Sequence, residues 1–297
     1  MTTIDEYTLT IEETAVRRFG EASWDASTRF SSQGGVAAME VPPIYLCCAA
    51  TLSGRENTLR KVNFDVSRSF HGTESVEVRR HLKVGETLRV HEKLEELPGV
   101  TGKRAGTMRR VRRETTFTDR DDLTVAVTTR VLLEAESALT VAAPVSDVHA
   151  FDDGLQVHPD PLPYEPKKIT GLGVGDLMPA TRFGPLTRTD FVRYAAASGD
   201  LTAIHFDENA AKSRGYPTVF AMGMLSGAFL AHAFTDWVEL VVPWRLSLRF
   251  VDLVWPGETL DVSGSVRTAD AEGAVLEAVC SSNGRTVTTG TIEVGQV

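Results

Sequence analysis

The sequence predicts an α+β protein built from one unit used twice, each copy a set of helices followed by four or five antiparallel strands. Two internal echoes predict the duplication. RHLKVGETLRV at 80–90 parallels DLVWPGETLDV at 252–262, each lying between one strand and the next. RFGEASWD at 18–25 parallels RYAAASGD at 193–200, and Ala38-Met39 parallels Ala221-Met222. The third observation is a helix over about Met222–Val238 that is apolar on nearly every side. Such a helix has to be enclosed, and a curved antiparallel sheet wrapped around it would do so.

A chain of 297 residues with 42% hydrophobic and 24% charged residues fits a globular protein of one large or two ordinary domains. No apolar run has the length of a membrane span. The acidic N-terminus MTTIDEYTLTIEETAV lacks a basic-then-apolar leader, so no signal peptide is expected. The net charge of −9 argues against nucleic acid as a partner. Cys47, Cys48 and Cys280 offer neither a disulfide framework nor metal-ligand spacing. A reduced, cytoplasmic setting follows, with each cysteine read as a small buried hydrophobe.

In chain order, IEETAVRRFGEAS (11–23) carries Val16, Phe19 and Ala22 at helical spacing. Gln33-Gly34-Gly35 reads as a turn. The apolar stretch Val36–Leu52 has Pro42-Pro43 placed to start a helix. Strands are expected at 62–70, 76–82, 87–94, 109–118 and 123–134. Ser137–Pro179 is proline-rich and without period, as a linker or a covering segment would be. Gly171, Gly173 and Gly175 within it lack the spacing and the preceding strand of a nucleotide loop. This sets boundaries at 1–140, a linker at 141–179, and 180–297.

The second half opens with a helix at Thr187–Ser198, where Thr187 and Asp190 form a near capping box. Ser198-Gly199-Asp200 breaks it, and an irregular segment leads to the apolar helix. Strands follow at 244–251, 259–267, 274–281 and 286–294. Asp200, His205 and the free N–H groups at a helix start near Gly223 supply an acid, a base and anion-binding donors. These are parts enough for acid–base chemistry on a carbonyl compound. Taken singly, Asp200 is a helix-end cap and His205 a loop histidine; their conjunction carries the catalytic reading. Asp207 suits a local cap, and His232 suits a packed core position.

SGDLTAIHFDENAAKSRGY (198–216) followed by AMGML (221–225) resembles the hydratase-2 signature of MaoC-like enoyl-thioester hydratases and dehydratases. The match covers Asp200, His205, Asp207, the Gly-Tyr turn and Gly223-Met224-Leu225. It departs at Thr202, where Asn is usual, at Ala203, where Pro is usual, and at Met222, where His is usual. The resemblance implies a tandem (double) hotdog, each half a curved antiparallel sheet around a central helix. In the first copy Asp25 remains, but Phe30 falls where His205 would be, so that half is expected to be a degenerate copy that shapes the acyl pocket.

The resemblance further implies (R)-specific hydration of a 2-enoyl thioester or the reverse dehydration, with Asp200 and His205 as the catalytic pair and the Gly223 N–H donating to the thioester oxygen. Coenzyme A or a carrier protein would deliver the acyl group. No metal, flavin or nicotinamide is implied. A long, bulky or steroid-like acyl group and a homodimer are further expectations. A hotdog thioesterase and a non-catalytic acyl-thioester-binding partner subunit are the alternatives. Arg109, Arg110, Arg112 and Arg113, with Lys103-Arg104, form the one dense basic cluster. Its plain reading is a solvated strand edge. Its functional reading is a landing patch for phosphates of coenzyme A or for an acidic carrier. Along a strand, Arg110 and Arg112 would share one face, and Arg109, Val111 and Arg113 the other.

Overall fold

The computed structural model describes residues 2–25, 39–54, 59, 61–65, 68–102, 106–136 and 166–295. The first half comprises β1 (Thr2–Thr10), α1 (Glu13–Ala22), a 3-10 turn (Tyr45–Cys48) running into α2 (Ala49–Leu52), β2 (Ser69–Val78), β3 (Thr87–Gly102), β4 (Gly106–Thr118) and β5 (Thr124–Ala135). The second comprises β6 (Thr181–Phe183), α3 (Arg188–Ser198), α4 (Glu208–Ser213), α5 (Gly223–Trp237), β7 (Trp244–Phe250), β8 (Leu260–Ala269), β9 (Gly273–Ser282) and β10 (Arg285–Gly295). The strands form one ten-stranded sheet in the order β1-β3-β4-β5-β2-β7-β10-β9-β8-β6. That order reads the same from either end once β1, β3, β4, β5 and β2 are matched to β6, β8, β9, β10 and β7. The seam is the antiparallel pair β2–β7, from Thr73 opposite Arg249 to Val78 opposite Trp244.

The repeated Gly-Glu-Thr-Leu motif performs the same task in both halves. Gly85 and Gly257 have φ of 86° and 83°, a backbone region where glycine avoids a Cβ penalty. Gly85 N donates to Ile11 O at 2.7 Å and Ile11 N to Glu86 O at 2.9 Å. The counterparts are Gly257 N to Leu186 O at 2.6 Å and Leu186 N to Glu258 O at 2.8 Å. Each glutamate turns back to accept from the backbone three residues earlier, Lys83 N at 3.3 Å and Trp255 N at 3.0 Å. Each also holds an arginine, Arg80 and Arg285 respectively. The sequence echo thus records a duplicated clamp that ties the turn before a strand to the segment leading into a helix.

α5 is enclosed as its composition requires. Leu225, Phe229, Leu230 and Phe234 have no exposed surface, and each contributes roughly 1.5–3 kcal/mol by leaving water. The helix lies close on β7–β10: a Cβ at Gly227 would sit 2.8 Å from Leu248 Cδ1, and one at Gly290 would sit 2.7 Å from Leu230 Cδ2. The capping box at α3 is complete, with Asp190 N donating to Thr187 Oγ1 at 3.4 Å and Thr187 N to Asp190 Oδ2 at 2.7 Å.

Some expectations need correction. Residues 61–62 lie in a 3-10 turn and Asn63 has φ of 53°, so no strand covers the described residues 62–65, and β2 begins at Ser69. One strand, β2, runs through the expected gap, with a register shift between His71 and Thr73 that absorbs Gly72. β1, whose Leu9 turns inward, escaped the sequence reading although residues 4–9 carry apolar side chains between polar ones. Within the expected linker, residues 166–179 follow the second half: Lys167 bridges Val238, and Gly175 N and Met178 N donate to Val266 O and Gly264 O, each at 2.9 Å. The expected turn at 33–35, Phe30, Lys103-Arg104 and linker residues 141–165 lie outside the described residues. Among the described residues, no helix is long and apolar enough to cross a membrane.

Candidate functional site

The candidate site starts where α3 stops. Gly199 takes a left-handed conformation (φ 75°, ψ 4°), which ends the helix and projects the chain toward α4. A side chain there would collide with the first half, because a Cβ would lie 2.9 Å from the carbonyl carbon of Thr51. Thr51 in α2 also donates its hydroxyl to Ser198 O at 2.6 Å and shares that hydrogen with Cys48 O at 2.8 Å. The end of α3 is therefore capped from the other half of the molecule.

Asp200 follows, half-buried. Its Oδ1 accepts from the Thr202 hydroxyl at 2.6 Å and from Thr202 N at 3.2 Å. The threonine that departs from the family pattern thus fixes one carboxylate oxygen, which leaves Oδ2 for another partner. A 3-10 turn over Ala203–His205 brings the imidazole inward, with only 8% of His205 exposed. His205 Nδ1 lies 2.8 Å from Phe220 O. A carbonyl can only accept, so Nδ1 carries the hydrogen and Nε2 is left basic. Burial lowers the His205 pKa below the ordinary value, against the opposing charge of Asp200 and the Phe220 hydrogen bond, while Arg214 adds to the lowering.

The next turn is held by its own caps. Asp207 accepts from Asn209 N at 2.8 Å and Ala210 N at 3.1 Å, so it serves the N-terminus of α4. Glu208 accepts from Arg188 at 2.8 Å and from the Thr218 hydroxyl at 2.9 Å. These bonds to Arg188, Thr218 and Lys212 bring its pKa to about 2, although partial burial works the other way. They pin both ends of the loop to the start of α3. Gly223 then opens α5 behind Met222, an N-cap without a side-chain hydrogen bond. A Cβ at Gly223 would lie 3.1 Å from the Phe250 ring, so close packing is one reason for glycine there.

Two residues beside this loop were missed by sequence reasoning. Tyr194 is fully buried in α3, and its hydroxyl faces the Cys48 thiol. Burial pushes that thiol up to about 12; the Arg130 charge works against the rise, and the Glu74 and Asp200 charges add to it. Thr51 is the second. Neither shows a local signal, because each acts across the two halves.

The arginine cluster divides. Arg113 points inward and is 4% exposed, beside buried Val111. Arg109 donates to Val62 O at 2.7 Å and Asn63 O at 3.1 Å and pairs with Glu96 and Glu134. Arg112 pairs with Glu95. The four side chains make no single surface patch. Asp25, the duplicate of Asp200, is also buried, with Oδ1 3.7 Å from His232 Nε2 on α5. His232 further meets Asp236 at 3.0 Å, so it is an interface histidine rather than a purely packed one.

Comparison with known proteins agrees with this architecture. Residues 177–287 match the family described as MaoC like domain, and residues 1–128 match the FAS1-like dehydratase domain region. No curated protein matches the chain at a significant level. Among solved structures, a MaoC-like dehydratase superposes with a TM-score of 0.75 at 19% identity, covering 99% of this chain and 98% of that one. HtdX of Mycobacterium tuberculosis gives 0.63 at 18% identity, with both chains fully covered. Another M. tuberculosis protein, described as having a double hotdog fold, gives 0.58 at 15% identity, covering all of this chain and 97% of that one. At these identities the likeness establishes the shared fold. The chain thus carries a FAS1-like dehydratase region in its first half and a MaoC-like domain in its second, and it has the double hotdog fold of these structures.

Proposed function

We propose that the chain is an (R)-specific 2-enoyl-thioester hydratase, equally a 3-hydroxyacyl-thioester dehydratase, acting through Asp200 and His205. The observation that carries the reading is the pairing of two restrained groups on one loop. Asp200 has one oxygen held by Thr202, and His205 has its Nδ1 hydrogen committed to Phe220 O. Both stand ahead of α5, whose first N–H groups lack intrahelical acceptors.

In the hydration direction, His205 Nε2 takes a proton from a water that the free Asp200 oxygen orients. The water oxygen bonds to C3, and the C2–C3 π electrons move to C2 and the thioester oxygen. The Gly223 N–H and the start of the helix stabilise that oxygen. The proton then passes to C2, which restores the neutral imidazole. A lowered His205 pKa suits this role, because the base is already unprotonated at neutral pH. Coenzyme A or a carrier protein supplies the thioester, and no further cofactor enters the proposal. The (R) outcome rests on the family resemblance.

The test follows the enoyl-thioester absorbance with crotonyl-CoA and with longer or steroid-like enoyl-CoAs. Asp200→Asn and His205→Ala run beside the wild type, and a thiol reagent runs in parallel. The reading expects absorbance loss without thiol release, reduced about 10²–10⁴-fold in either variant. Thiol release would identify a thioesterase. Binding without turnover on any substrate would identify a partner subunit.

A further inference from the structure

One side chain crowds the head of α5. The nearest atoms to a Cβ built on Gly223 all belong to Phe250, the last residue of β7, with Cδ1 at 3.1 Å and Cγ at 3.2 Å. A Cβ on Gly227, one turn later, would lie 3.5 Å from Cε1 of the same ring. The ring thus lies along the first turn of the helix with its Cγ end at Gly223. Its place is fixed from two directions. β10 pairs Phe250 with Thr288, whose hydroxyl lies 2.6 Å from Ser226 Oγ, and Ser226 donates to Gly223 O at 2.8 Å. From the first half, the His71 ring packs on Phe250 with centroids 4.5 Å apart and planes at 48°. His71 sits just past the seam, which ends where Thr73 pairs with Arg249. Its Nε2 is 2.9 Å from Glu74 Oε2, and Glu74 is held in turn by Arg130.

An aromatic wall therefore stands against the residue whose N–H is proposed to receive the thioester oxygen. An oxygen about 2.9 Å from that nitrogen brings its carbonyl carbon, and the two atoms bonded to that carbon, up to the ring. Those atoms are sulfur and C2. The sulfur leads to coenzyme A or to a carrier protein, which has to lie outside. The far side of the Phe250 ring is closed by His71, whose Nε2 is shielded from solvent, and by buried Glu74. The acyl side is thus the one that meets the ring. A wall braced by a helix on one side and a hydrogen-bonded histidine on the other does not yield cheaply to an added methyl group.

We propose that Phe250 is a specificity-determining residue, a wall beside the thioester carbonyl that admits acyl groups unbranched at C2 and turns away those carrying a methyl there. The proposal rests on the hydratase reading above. Phe250 moves no proton and holds no charge; it acts through the space it occupies. One methyl group in a fitted apolar site changes kcat/KM by about 10–200-fold. A smaller side chain at 250 gives that space back, while Asp200, His205 and the Gly223 N–H stay as they are.

The experiment compares crotonyl-CoA with 2-methylcrotonyl-CoA as substrates of the full chain. The two thioesters differ in intrinsic reactivity, but that difference is common to every variant, so the quantity read is the change in their kcat/KM ratio. Phe250→Leu is expected to lower the preference for crotonyl-CoA about 10-fold, and Phe250→Ala further. General damage slows both substrates alike and does not imitate this. If Phe250→Ala does not fold, Phe250→Leu and Phe250→Met carry the test. A ratio unchanged in every folded Phe250 variant, or a wild type that hydrates both substrates equally well, overturns the proposal. If the wild type hydrates neither, the hydratase reading fails, and calorimetric binding of butyryl-CoA and 2-methylbutyryl-CoA tests the wall separately. A preference for butyryl-CoA that Phe250→Leu removes supports the wall; equal affinities in the wild type refute it.

Discussion

The hydroxyl of Thr51, in the first half, lies 2.6 Å from the carbonyl oxygen of Ser198, in the second. Through this bond, α2 of one hotdog ends α3 of the other, two residues before the proposed catalytic aspartate. The first half therefore helps to set where the chain leaves α3 for Asp200.

Thr51→Val removes that bond and keeps the side-chain volume. One lost hydrogen bond predicts a stability loss of about 0.5–1.5 kcal/mol in denaturant unfolding. If the bond also aims the loop, kcat falls about 10-fold with KM little changed. Gly199→Ala is expected to be worse, since a Cβ meets Thr51 backbone at 2.9 Å and φ is 75°. A Gly199→Ala protein as stable and active as wild type would show that the halves do not meet this closely.

Gly223→Ala separates packing from chemistry at the head of α5. The new methyl meets the Phe250 ring at 3.1 Å, so overpacking of about 1–3 kcal/mol is expected. Adding Phe250→Leu should recover part of the melting temperature. If glycine is also needed for close approach of the thioester oxygen, the double variant stays impaired in kcat while its stability returns.

Acid should destabilise the fold in two windows. His205 and His71 are both depressed, chiefly by burial. The unfolded chain therefore takes up their protons first, and stability is lost as pH falls from the ordinary histidine value of about 6.5 toward the folded values. Glu208, with its folded pKa at about 2, contributes stability that is complete above the usual carboxylate range and is lost as pH falls toward 2. Denaturant midpoints measured against pH should show both declines, and His205→Gln should reduce the first while Glu208→Gln reduces the second.

Glu74→Ala leaves Arg130 as a buried, unpaired charge, and removal of one partner of such a pair costs about 3–5 kcal/mol. By contrast, Glu95→Ala at the part-exposed Arg112 pair should cost about 0–1 kcal/mol. Urea unfolding of the two variants side by side checks the ordering.

Much of this architecture was legible from the residues alone because it depends on short-range chemistry. The capping box at Thr187 and Asp190, the all-round apolar helix from Met222, and the Gly-Glu turns repeated at 85–86 and 257–258 are local, and each appears where its residues predict. Asp200, His205 and Gly223 could be named as candidates for the same reason, since five positions and a motif bring the first two onto one loop. The alternation that puts Arg113 with Val111 was also readable. Which of the two faces is buried was not, because that depends on strand register, where a slip of one residue exchanges the faces. Only the tertiary structure decided that Arg113 lies inside, that β2 and β7 form the seam, that Asp25 meets His232, and that Thr51 ends α3. Each joins residues far apart in sequence, and their proximity comes from assembling the ten-stranded sheet and its helices, not from any preference held within a few residues of chain.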